Sequence, residues 1–208
     1  MSFNRDIQLD PNRVQTRSGG GRGAVIGGGS ILTVIAVVLI SQLTGVDLTS
    51  MLGAQQQTGT TTSTASSIDT SVCTSGDSAN KYTQCRMVAT AESLDAVWTE
   101  QLPAQAGLKY AKPEFVLWDG SQISSACGNA SSAVGPFYCS GDRTVYLDMS
   151  FFSEMERSLG AADTPLAEEY IVAHEFGHHI QHLTGTMDRA DRSGTGATSD
   201  SVRLELQA

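Results

Sequence analysis

The sequence predicts an α+β domain carried behind one N-terminal transmembrane helix. Three observations predict it: a charge-free apolar stretch near the start, short apolar runs that read as strands among longer helical patterns, and four cysteines in two equally spaced pairs. A chain of 208 residues has room for one sizeable domain plus extensions, and its 40% hydrophobic content can fill a core. The net charge of -9 is unevenly spread. The first 46 residues carry four arginines against two aspartates, and the other nine basic and 20 acidic residues follow. An acidic body without a basic stripe argues against nucleic acid as a partner. Solubility alone accounts for the acidic surface.

Residues 1–23 are polar, with arginines and a Gly-rich run, and read as a disordered cytoplasmic tail. Residues 24–46 hold no charge and reach the ~20 residues that cross a bilayer. A cleaved signal peptide fits less well: the polar lead-in is long, and Leu52 stands where a cleavage site needs a small residue. Arginines precede the span and Asp47 follows it, so the expected topology is a single pass. The N-terminus would be cytoplasmic and the body periplasmic or extracellular. Residues 47–71, rich in Gln, Thr and Ser, read as a linker, and residues 72–208 as the folded domain.

Within the domain, residues 87–106 set Val88, Leu94, Val97, Trp98 and Leu102 on roughly one helical face. "EFVLWDG" reads as a short strand ending in a turn, and "TVYLDMSFF" as a buried strand running into a helix near Ser153. Of the three possible cysteine pairings, the local ones, Cys73–Cys85 and Cys127–Cys139, each close a short loop. Such a loop is worth roughly 3 kcal/mol in the chain-entropy model. An exported body is where disulfides persist.

All four histidines lie in "IVAHEFGHHIQHLTG", residues 171–185. Thr164 or Asp163 can cap a helix here, Pro165 suits its first turn and Gly185 offers a stop. Leu166, Tyr170, Ala173, Gly177, Ile180 and Leu183 read as its buried face. His174 and His178 stand at i and i+4, so two imidazoles one turn apart can converge on one Zn²⁺. Glu175 directly follows the first histidine and points to the open side of the metal, where it can take a proton from water. This is the H-E-x-x-H arrangement of zinc metalloproteases. His182 lies eight residues from His174, a rise of about 12 Å, too far to share its metal. His179 and His182 therefore read as structural or surface residues.

The third ligand must come from elsewhere. A longer histidine pattern fails at Gln181 and Thr184, which leaves a carboxylate as in His₂Glu sites. Asp188, Asp191, Asp200 and Glu205 are the downstream candidates. Asp188 and Asp191 fall in a loop-like stretch. Glu205 falls in "SDSVRLELQA", a capped helical pattern that can offer a carboxylate across the first helix, and is preferred.

"HEFGHHIQHLTG", "SVRLELQA" and "ACGNASSAVGPFYCSGDRTVYLDMSFF" together resemble the neutral zinc metallopeptidase family of bacteria. The resemblance implies a zincin-like metallopeptidase domain, His174, His178 and Glu205 as zinc ligands, and Glu175 as the catalytic residue. It also implies a family that continues past Ala208, so that the chain reads as truncated at its C-terminus. The aspartate that the broader pattern places four residues after the third ligand, as partner of a ligand histidine, falls one residue beyond it. The expected function is a membrane-anchored zinc metallopeptidase acting on peptide or protein substrates. A non-catalytic, zinc-stabilised binding or scaffold module is the alternative.

Overall fold

The computed structural model describes residues 2–19, 68–120, 122–159, 164–191, 193–194 and 196–208. Its strands are β1 (Gln15–Gly19), β2 (Glu114–Gly120), β3 (Gln122–Ser125), β4 (Gly128–Ser131), β5 (Phe137–Cys139) and β6 (Thr144–Asp148). Its helices are α1 (Gly76–Lys81), α2 (Thr83–Ala106), α3 (Phe151–Leu159), α4 (Pro165–Leu183), α5 (Thr186–Arg189) and α6 (Asp200–Gln207). The expected α+β class is borne out. The apolar stretch 24–46 and most of the linker 47–71 lie outside the described residues. Among the described residues no helix is long and apolar enough to cross a membrane.

The sheet runs β1-β2-β6-β5, with β1, β2 and β6 parallel and β5 antiparallel to β6. Its two central strands are apolar on both faces because both faces are covered. Alternation sends Phe115, Leu117, Val145 and Leu147 into the core shared with the helices. Val116, Trp118 and Tyr146 go to the opposite side, against Ile123 and Ala130 of the β3–β4 hairpin. Both expected disulfides are present. Cys73–Cys85 ties the segment before α1 to α2, and Cys127–Cys139 ties the hairpin to β5.

The start of the chain departs from expectation. Residues 2–19, expected to be a disordered tail, are packed on the domain: β1 extends the sheet, and Leu9 and Val14 are buried. The contacts responsible join residues about 60 to 100 positions apart, which composition does not reveal.

Helix α2 also buries more than one face. Between Cys85 and Ala91 every side chain is buried, because α1, α4 and the N-terminal segment enclose that half. Val97, expected inside, is exposed, and Asp95 is buried instead. In α4 the expected face is likewise displaced. Leu166 and Tyr170 are 53% and 69% exposed, whereas Glu168, Val172, Glu175, Phe176, His178, His179 and Gln181 are buried. Polar side chains take the inner face because each has a partner there. At the N-terminal end of α4, Glu168 pairs with Arg86 of α2, both nearly inaccessible to solvent.

This buried pair sets the first prediction. Removing one member leaves an uncompensated charge, so Glu168→Ala should lose about 3–5 kcal/mol of unfolding free energy. Glu154→Ala, which removes an exposed partner of Arg157, should lose less than about 1 kcal/mol. Urea denaturation of the two variants checks the contrast.

Candidate metal centre

Helix α4 begins at Thr164, whose side chain accepts from the Ala167 N–H, with Pro165 in the first turn. It ends before Gly185, whose φ of 69° turns the chain away. Within it His174 and His178 stand one turn apart, edge to face, with ring centroids 4.6 Å apart. Helix α6 is capped by Ser199, which accepts from the Val202 N–H, and it carries Glu205 inward to a nearly inaccessible position. The backbone at Ala208 lies against α4. A Cβ at residue 177 would stand 2.5 Å from the Ala208 carbonyl oxygen, so only glycine admits this approach.

One carboxylate oxygen of Glu205 lies 3.2 Å from Nε2 of His174 and 3.4 Å from Nε2 of His178. Donors bound to a tetrahedral zinc at 2.0–2.1 Å stand about 3.3 Å from one another. The two observed separations match edges of such a tetrahedron, and all three donor atoms lie within 4.8 Å of one another. The other Glu205 oxygen, Oε1, is buried without a hydrogen-bond partner, a group that a bound cation would satisfy. Asp188 and Asp191 are exposed, and neither they nor Asp200 joins the cluster.

Nδ1 of His178 lies 3.0 Å from the side-chain oxygen of Gln181, which accepts a hydrogen bond from Nδ1–H and so leaves Nε2 as the nitrogen that can bind a metal once it has lost its proton. The Gln181 amide in turn donates to the Leu204 carbonyl and to the Gln207 side chain, linking α4 to α6. His178 is thus oriented by a partner from its own helix. Its signal was present in the sequence: Gln181 stands at i+3 from His178.

Glu175 is buried beside this cluster, and the backbone N–H of Tyr138 in β5 donates to its carboxylate. His179 and His182 have structural roles, as expected. His179 Nε2 lies 2.6 Å from the Ala111 carbonyl, which can only accept. Its Nδ1 is therefore the acceptor for the Tyr138 hydroxyl at 3.0 Å, and that oxygen receives Nδ1–H of His182 at 2.7 Å. Tyr138, which no motif singles out, thus joins β5 to α4 through both its backbone and its hydroxyl.

The charges are tuned in opposite directions. Burial pushes Glu205 up, but hydrogen bonds from His174 and His178 prevail and hold it at about 2. Burial pulls His178 down, but the Glu205 hydrogen bond and the Glu175 and Glu205 charges push it up to about 9. Burial raises Glu175 above the ordinary glutamate value, against the charges of His178 and His174.

The family described as "Putative neutral zinc metallopeptidase" matches over residues 6–208. The chain belongs to this zinc metallopeptidase family. An uncharacterized protein of Mycobacterium tuberculosis (strain H37Rv) is 45% identical over 168 residues, 81% of this chain and 55% of that protein. The uncharacterized protein YpfJ of Escherichia coli K12 is 36% identical over 189 residues, 87% of this chain and 60% of YpfJ. The chain therefore spans somewhat over half the length of these family members. No solved structure matches.

Two predictions follow from the cluster. Zinc and a proton compete for Nε2 of His178, which in the metal-free protein holds its proton up to about pH 9. Apparent zinc affinity should therefore keep rising with pH toward about 9, with proton release at neutral pH. Calorimetry in buffers of different ionisation heat reads the released proton, and an affinity that levels off above pH 6.5, the ordinary histidine value, contradicts the coupling. Gln181→Leu should weaken zinc binding by about 10–100-fold in competition titrations, whereas Asp188→Ala should leave it unchanged.

Proposed function

We propose that this chain is the peptidase part of a membrane-held protein and hydrolyses peptide bonds in peptide or protein substrates. His174, His178 and Glu205 would hold zinc, and Glu175 would serve as general base and then general acid. The observation that carries this reading is the convergence of two imidazole nitrogens on one carboxylate oxygen, at 3.2 and 3.4 Å. A second, separately buried carboxylate stands beside them. The apolar stretch 24–46 supplies the membrane attachment.

Zinc bound there would lower the pKa of water and polarise a carbonyl. The chain's own residues do the rest. Glu175 removes a proton from the attacking water at its carboxylate and delivers it to the leaving amine. Burial raises its proton affinity toward the range in which one group can do both. The Tyr138 N–H holds the carboxylate in place, and Gln181 fixes which nitrogen of His178 faces the metal.

A site that only pins α6 to α4 is the competing reading. A purely structural zinc fills its fourth position with Cys or His. Among the described residues the cluster offers three donors, the cysteines are all in disulfides, and His179 and His182 are bonded to Tyr138. That no described Cys or His is left to close the site supports catalysis.

Glu175→Gln should keep about one zinc per chain and lose peptide hydrolysis by about 10²–10⁴-fold. Metal analysis and a peptide-library digest of wild type and variant check both halves. A variant as active as wild type removes Glu175 from the chemistry, and a wild type that binds zinc yet cleaves nothing favours the pinning role.

A further inference from the structure

Residues 2–19 are bound to the domain by contacts of several independent kinds. β1 pairs with β2 in a continuous parallel register from Gln15 opposite Val116 to Gly19 opposite Gly120. Upstream, the Leu9 N–H donates to the Thr74 carbonyl and the Gly76 N–H to the Ile7 carbonyl, both at 3.1 Å. The Asn80 side chain accepts from the Phe3 N–H at 2.7 Å and donates to the Phe3 carbonyl at 2.9 Å. Gly76 is overlain so closely that a Cβ there would collide with the Asn4 carbonyl.

The deepest contact is Arg13. Its guanidinium forms a two-pronged bond with Asp95 of α2, at 2.6 and 3.2 Å, and both side chains are more than nine-tenths buried. The same guanidinium lies over the ring of Phe176, the residue after Glu175, 5.7 Å from its centre. Removing the segment leaves Asp95 buried with only Tyr110 and Lys112, strips a brace from the motif helix and exposes the edge of β2.

This conflicts with the topology expected from the sequence. One membrane crossing between residue 19 and residue 68 would put them on opposite faces of the bilayer, and β1 could not pair with β2. The arginines that read as cytoplasmic retention charges also have other uses, since Arg5 faces Asp77 and Arg13 faces Asp95. We propose that in the cell residues 2–19 are docked on the domain as its edge strand. The N-terminus and the domain then share one side of the membrane.

Two measurements on the full chain in its own membranes test this. In the first, Ser2→Cys and Glu100→Cys, both exposed positions, are labelled separately with a membrane-impermeant maleimide before and after lysis. The expected result is the same pattern for both, whether labelled from outside or only after lysis. One site reacting from outside while the other requires lysis overturns the proposal. In the second, Ser18→Cys combined with Asp119→Cys, register partners in β1 and β2, is oxidised in the membrane and mapped without reduction. A Ser18Cys–Asp119Cys cross-link is expected, and its absence overturns docking in the cell. Neither readout depends on zinc or on peptidase activity.

Discussion

A single carboxylate oxygen of Glu205, set between two imidazole nitrogens of another helix, is the contact on which the rest of the site depends. Burying that carboxylate beside two histidines is costly unless partners and geometry are fixed in advance. The fold fixes them at three levels. Gly177 lets the backbone at Ala208 close onto α4, and Gln181 bonds both to His178 and to the backbone of α6. Phe176 packs edge-on against Phe115, setting α4 on the sheet. The Arg86–Glu168 pair holds the other end of α4 to α2.

The same packing separates two glutamates that lie within one small volume. Glu205 is held strongly acidic by the histidines it faces, while burial drives Glu175 the other way. Pushing neighbouring carboxylates apart in this manner fits the proposed division of labour, in which Glu205 faces a cation and Glu175 takes and returns a proton. β5 takes part in the assignment, since the Tyr138 backbone reaches Glu175 and its hydroxyl reaches His179.

What was legible in the sequence was what local geometry dictates. The i, i+4 histidines, the capped helix bearing Glu205, the two local disulfides and the apolar central strands all follow from spacing and periodicity. The inner face of α4 was not legible. It is lined by Glu168, His179 and Gln181, whose partners lie on other elements, and His179 bonds to a carbonyl 68 residues away. The N-terminal segment escaped for the same reason. Its composition is that of a disordered tail, and its order comes from Asn80, Glu92 and Asp95.

The central claim is that the cation sits where α4 and α6 meet. Anomalous diffraction at the zinc edge from zinc-loaded crystals of the chain tests it most directly. One peak is predicted at about 2.0–2.2 Å from Nε2 of His174, Nε2 of His178 and a carboxylate oxygen of Glu205. A peak that lacks Glu205, or one centred on His182 or an aspartate of the loop before α6, contradicts the account.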